Sequence, residues 1–136
     1  MYQTILAPVD GSDSSERAVD HAIDLADRFD ASLHAIYVVD TTRYGSGRVG
    51  DSETVLGDLT SQGETVLERV ADRAPVDVRT VLRRGEPSEE IQAYAEELDA
   101  DLLVLGHRGI GDPGDGHIGS IAERVVRTVD RPVITA

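Results

Sequence analysis

The sequence predicts an α/β domain over residues 1–136, a single doubly wound parallel sheet of five strands with helices on both faces. Three observations predict it. Short apolar runs alternate with helical patterns in the order βαβαβαβαβ. The second, fourth and fifth of those runs are apolar with little alternation, as in strands covered on both faces. The length, 136 residues, suits one compact domain rather than two.

The first strand is read at Thr4 to Val9, TILAPV. A helix starting near Ser12 or Asp13 follows, with Glu16 in its first turn. Its apolar side carries Ala18, Val19, Ala22, Ile23, Leu25, Ala26 and Phe29, and Asp20, Asp24 and Asp27 lie opposite. The second strand is Ser32 to Val39, followed by the polar stretch Asp40 to Asp51. A second helix is expected from about Ser52 to Arg73 and a third strand from Val76 to Leu82.

The third helix opens at Pro87 and carries Ile91, Tyr94, Ala95 and Leu98, and the fourth strand is Leu102 to Leu105. After a second long polar stretch, Gly106 to Gly119, a fourth helix begins at Ser120 with Ile121, Ala122, Val125, Val126 and Val129 inward. Asp130 to Pro132 ends it, and Pro132 to Thr135 is the last strand. In parallel sheets, ligands sit beyond the carboxyl ends of the strands, where the strand order reverses. The segments of interest are therefore those after Val9, Val39, Leu82 and Leu105.

Charge and composition exclude several classes. With 13 basic and 26 acidic residues the net charge is −13, which repels a nucleic-acid backbone. No apolar run approaches the length of a membrane span, and MYQTILAPVDG lacks the basic segment of a secretory signal, so the expected location is cytoplasmic. Cysteine is absent, and His21, His34, His107 and His117 show no metal-site spacing. Every basic residue is arginine. A lysine-free chain with so large an acidic excess suits concentrated salt, where charges are screened within a few ångström, and points to a halophilic archaeon.

The pattern GxGxxG occurs at Gly45, Gly47, Gly50, at Gly109, Gly111, Gly114 and at Gly114, Gly116, Gly119, never between the first strand and first helix as a dinucleotide fold requires. A Walker loop needs a lysine, and His117-Ile118-Gly119 is only half of a synthetase HIGH signature. Related α/β nucleotide enzymes, such as adenylyltransferases and ATP pyrophosphatases, lack their signatures here.

The informative arrangement is Gly106, Gly109, Gly119 and Ser120, spaced G-x2-G-x9-G-S between a strand and a helix. It resembles the nucleotide-binding signature of the universal stress protein family. The resemblance spans essentially the whole chain: TILAPVDGS, the VVD at Val38 to Asp40, RGEPSEEI, ADLLVLGHRG and GSIAERVVRTVDRPVIT. It implies strand order 3-2-1-4-5, ATP as ligand, with Mg²⁺, and a regulatory role in stress response with at most slow hydrolysis. It also implies a homodimer through the C-terminal strand.

The binding set it implies is Pro8, Val9, Asp10, Val39, Gly106, His107, Arg108, Gly109, Gly119, Ser120 and Ile121. Asp10 would face the nucleoside or a metal ion, and Val39 would hold adenine through its backbone. The residues from Gly106 onward would surround ribose and phosphates.

Glycines let backbone amides approach a phosphate and tolerate the positive φ of an anion nest, and the start of the last helix favours anions. Ser120 with Glu123 also reads as a capping box, and Asp10 as an acceptor for amides of the first helix. The spacer IGDPGDGHI departs from the family in carrying Asp112 and Asp115, which repel phosphate unless a divalent cation or molar salt intervenes. That departure favours the alternative of a nucleotide-free protein acting as a dimeric interaction module.

Overall fold

The computed structural model describes residues 2–44, 51–107 and 119–136. Five parallel strands, β1 (Thr4–Pro8), β2 (Ser32–Asp40), β3 (Val78–Gly85), β4 (Leu102–Leu105) and β5 (Val133–Thr135), form one sheet in the order β3-β2-β1-β4-β5. The helices are α1 (Asp13–Phe29), α2 (Thr41–Tyr44), α3 (Asp51–Arg73), α4 (Pro87–Leu98) and α5 (Ser120–Thr128).

Successive side chains of a strand point to opposite faces, so each strand feeds two cores. On one face Ile5, Ala7, Leu33, Leu102 and Val104 pack under Ala18, Ala22 and Ala26 of α1, while Val39, Ala35 and Tyr37 pack under Leu67 and Val70 of α3. On the other, Leu6, Ile36, Leu103 and Leu105 meet Ile91 and Ala95 of α4 and Ala122 and Val125 of α5. The sheet is therefore wound on both sides, as the alternation of elements predicts.

Helix ends follow local chemistry. Ser12 caps α1 by accepting the Ser15 amide at 3.1 Å, and Asp30 ends it in a left-handed conformation (φ 53°). Pro87 opens α4 beneath a glutamate cap, Glu86, which accepts the Glu89 amide at 2.9 Å and the Ser88 hydroxyl at 2.6 Å. Burial alone would raise the Glu86 carboxyl. The Ser88 hydroxyl, the Glu89 and Ser88 amides and Arg124 of α5 outweigh that and hold it below its usual value.

Several sequence expectations are corrected. The third strand runs Val78–Gly85 rather than Val76 to Leu82, because its register is set by pairing with β2 from Leu33↔Val78 to Asp40↔Gly85. β1 stops at Pro8, β2 extends through Asp40, the last strand starts at Val133, and the polar stretch after β2 opens with a short helix, α2. α5 ends at Thr128, and Ile121 and Val126, expected inward, are 37 % and 47 % exposed. Only one side of this helix meets the sheet, through Ala122 and Val125. Phe29 is likewise exposed and sits edge-on against Tyr2. β5 is not covered on both faces: Ile134 is 39 % exposed, as befits an edge strand.

His34 on β2 is 7 % exposed, with the Tyr94 hydroxyl of α4 at 3.4 Å from Nδ1 and Arg79 opposite it on β3. The far side of this contact is also cationic, since the Arg83 guanidinium lies 4.7 Å from the Tyr94 ring centre while paired with Glu97 at 2.7 Å. Burial, then Arg79, pushes the imidazole below its ordinary 6.5. A group whose protonation is disfavoured in the fold contributes stability that is fully present above the unfolded value and lost as pH falls below it. The melting temperature of the wild type is therefore expected to fall more steeply than that of His34→Gln between about pH 6.5 and about pH 5. Parallel melting curves would remove His34 from the acid response.

Candidate functional site

The strand order reverses between β1 and β4, which puts the switch point, where parallel sheets take ligands, beyond the carboxyl ends of these two strands. Pro8 is the last residue of β1, and Val9 continues past it, its amide donating to the Ile36 carbonyl at 2.9 Å. The turn into α1 is then closed by its own side chains. Asp10 Oδ1 accepts the Ser12 amide at 2.9 Å, the Asp10 amide donates to Ser15 Oγ at 3.1 Å, and Gly11 takes φ 85°. The expected role of Asp10 as an acceptor at the first helix is thus observed.

β2 runs past β1, since Pro8 pairs with Ile36 while the strand continues to Asp40. The Val39 side chain is buried in one cluster with Val9, Val19 and Leu67, and its backbone lies in the ladder with β3, opposite Arg84. On the other side of the switch point β4 leads into Gly106 and His107. The His107 amide donates to the Ala136 carbonyl at 2.7 Å, and the His107 carbonyl accepts the Gly119 amide at 2.7 Å. The two ends of the glycine-rich segment are thereby joined, with Ser120 and Ile121 opening α5 immediately after.

Two features of this neck differ from expectation. Gly106 is not at positive φ; among the described glycines only Gly11 and Gly85 are. Its lack of a side chain serves packing, because a Cβ there would lie 2.7 Å from the Ser15 nitrogen and 2.9 Å from the Ser14 carbonyl carbon. Nor is Ser120 a cap. The cap is Gly119, with no side-chain hydrogen bond, and the Glu123 amide bonds the Gly119 carbonyl at 2.9 Å, so no capping box forms. The first turn of α5 keeps the amides and dipole that favour an anion without a side chain of its own to occupy them, unlike α1.

The structure therefore brings together Pro8, Val9, Asp10, Gly106, His107, Gly119, Ser120 and Ile121, with Val39 on the adjacent strand. Arg108 and Gly109, with Asp112, Asp115 and His117, lie outside the described residues. Sequence reasoning missed Ser14, 4 % exposed, whose hydroxyl donates to the Ala136 carbonyl at 2.8 Å. The available signal was its place one turn before Ala18, Ala22 and Ala26 on the small, buried side of α1. At the opposite end of the sheet a cavity of about 410 Å³ is lined by Asp27, Asp30 and Asp77 with Arg79, a charge balance unsuited to phosphate.

Comparison with known proteins decides the lineage. The universal stress protein family model matches residues 1–136. The chain belongs to that family. A universal stress protein of Methanocaldococcus jannaschii is 38 % identical over 138 residues, covering 98 % of this chain and 81 % of the relative. The structure of universal stress protein UspA from Lactobacillus plantarum is similar at 30 % identity and TM-score 0.81, covering 98 % of this chain and 97 % of that one. A universal stress protein solved in complex with cAMP is similar at 28 % identity and TM-score 0.75, covering 99 % and 97 %. Universal stress proteins are in general not enzymes. Among the described residues, no helix is long and apolar enough to cross a membrane, and no group of three or more His, Cys, Asp or Glu side chains could hold a metal ion.

Proposed function

We propose that this universal stress protein binds ATP at the switch point beyond the carboxyl ends of β1 and β4 and acts as a regulatory dimer in a stress response. The observation that carries the reading is the glycine-capped start of α5, whose first-turn amides lie beside the Gly106–His107 neck. The phosphates would lie beside Gly119 against the amides of Ser120 and Ile121, with the Ser120 hydroxyl, His107 and the Arg108–Gly109 segment. The nucleoside would lie along Pro8, Val9 and Asp10 towards the backbone of Val39. The cAMP complex of a relative supports an adenine nucleotide as the ligand class.

Magnesium would supply positive charge between the phosphates and the carboxylates of the spacer, Asp112 and Asp115. The chain has no lysine to draw charge from a γ-phosphate, so hydrolysis slower than about one turnover per second is expected. β5 is a short edge strand with Ile134 exposed, which suits pairing with a second copy about a two-fold axis. The arginine-only, acidic composition suits a salt-rich cytoplasm, and loss of fold on dilution of the salt is the matching expectation.

Calorimetric titration of ATP with Mg²⁺ at about 2 M KCl tests the site. Saturable binding by the wild type, lost in a folded Gly109→Val, Ser120→Ala double variant, is expected. Absence of binding by the folded wild type would favour the second reading, a dimeric protein-interaction module, for which the acidic spacer speaks. Sedimentation in high salt as a monomer at all concentrations would remove the dimer.

A further inference from the structure

The sheet ends on two unlike edges. β5, at one end, is short and uncharged, whereas β3, at the other, is 8 residues long and reads VRTVLRRG. Between Asp77 and Glu86 this strand holds three arginines and no carboxylate, a local inversion of sign in a chain of net charge −13. Side chains alternate along a strand, so Arg79, Val81 and Arg83 lie towards α4, and Thr80, Leu82 and Arg84 towards α3. Arg83 is engaged by Glu97 at 2.7 Å and by the Tyr94 ring. Arg79 and Arg84 are exposed, and among the described residues neither forms an ion pair: Arg84 donates to the Thr60 hydroxyl at 3.0 Å, and Arg79 shares a cavity with Asp27, Asp30 and Asp77 without pairing with them. α3 and α4 cover the faces of β3, but among the described residues no strand pairs with its outer backbone.

We propose that the outer edge of β3 accepts an extended, acidic segment of a partner protein as an added strand. The inference is independent of the nucleotide and dimer readings above. A strand edge offers backbone donors and acceptors at strand spacing, which a peptide backbone matches and a nucleic-acid backbone does not. Specificity then comes from the side chains directly opposite, where unlike charges stabilise the pair and like charges oppose it. The free guanidiniums lie on both faces of the edge, with Val81 and Leu82 half-buried between them, so the matching strand carries carboxylates across from the arginines and apolar residues across from these two. A second copy of β3 does not match: antiparallel pairing centred on Val81 would set Arg79 against Arg83 at both ends. The charges that keep two copies of this edge apart are the ones that select an acidic partner.

The test is fluorescence anisotropy with a labelled peptide as long as β3, made in both chain directions, with glutamates placed across from Arg79, Arg83 and Arg84 and valines across from Val81 and Leu82. At about 2 M KCl, screening leaves only charges in contact to contribute. Saturable binding of one direction is expected, and none of a scrambled peptide of the same composition. A folded Arg79→Glu, Arg84→Glu double variant is expected to bind about tenfold more weakly and to regain affinity for the peptide with arginines in place of the glutamates. In the wild-type complex, hydrogen exchange is expected to slow at the β3 amides and not at β5, a readout that does not depend on the variant's fold. Absence of saturable binding, equal binding of the ordered and scrambled peptides, or slowed exchange elsewhere than β3 would overturn the proposal. Displacement of the peptide by a single-stranded oligonucleotide would overturn it in favour of a nucleic-acid ligand.

Discussion

Gly106→Ala is expected to destabilise the fold by about 3 kcal/mol, lowering the melting temperature by about 10 °C at fixed protein concentration. The added methyl would sit 2.7 Å from the Ser15 nitrogen, 2.9 Å from the Ser14 carbonyl carbon and 3.0 Å from Ser14 Oγ. Two of these are backbone atoms of a helix whose buried side is Ser14, Ala18, Ala22 and Ala26, so α1 lies too close to the sheet to yield by a rotamer change. Relief requires the first turn of α1 to lift, which also breaks the Ser14 bond to Ala136. Thermal unfolding of the variant checks this. An unchanged melting temperature with lost nucleotide binding would mean that Gly106 serves ligand approach alone.

Within α3 two glycines are expected to respond with opposite signs. Gly57 faces open space, and a methyl group there would meet nothing within 4 Å, so Gly57→Ala stabilises by up to about 1 kcal/mol through helix propensity. A Cβ at Gly63 would meet the Tyr37 ring at 2.5 and 2.7 Å and Leu82 Cδ1 at 2.9 Å. Tyr37 is 8 % exposed and buried in one cluster with Leu67 and Val70, which leaves its ring little room to retreat. Gly63→Ala therefore loses about 2 kcal/mol even after the propensity gain, and the two variants should differ by about 3 kcal/mol in denaturant unfolding. Equal shifts for both would show that α3 does not approach β2 this closely.

The parts of the candidate site that were legible in the sequence are those written in local spacing. Glycine and serine at fixed offsets between an apolar run and a helical pattern located the neck, and the family resemblance implies a nucleotide as the ligand to test there. The reason for Gly106 was not legible, because the atoms that exclude a side chain belong to Ser14 and Ser15, far off in the chain. Ser120 with Glu123 has the spacing of a capping box, but the helix begins one residue earlier in its hydrogen bonding and Gly119 takes the cap. Propensity cannot choose between adjacent caps when the chain's entry into the helix is held by a bond from elsewhere, here the Gly119 amide to His107.

By itself the sequence determined the order and type of the main elements, the parallel sheet and the family. Apolar periodicity reflects backbone geometry within one segment, and alternating strands and helices leave a parallel sheet as the way to bury both. The tertiary structure decided what depends on two distant segments meeting. It set the β3 register against β2, the exposure of Val126 and Ile134, the approach of α3 to Tyr37 and the meeting of Ser14 with Ala136 across 122 positions. These contacts arise from packing between elements, where a difference of a few tenths of an ångström decides whether a side chain fits, and no periodicity in a single stretch of chain encodes that distance.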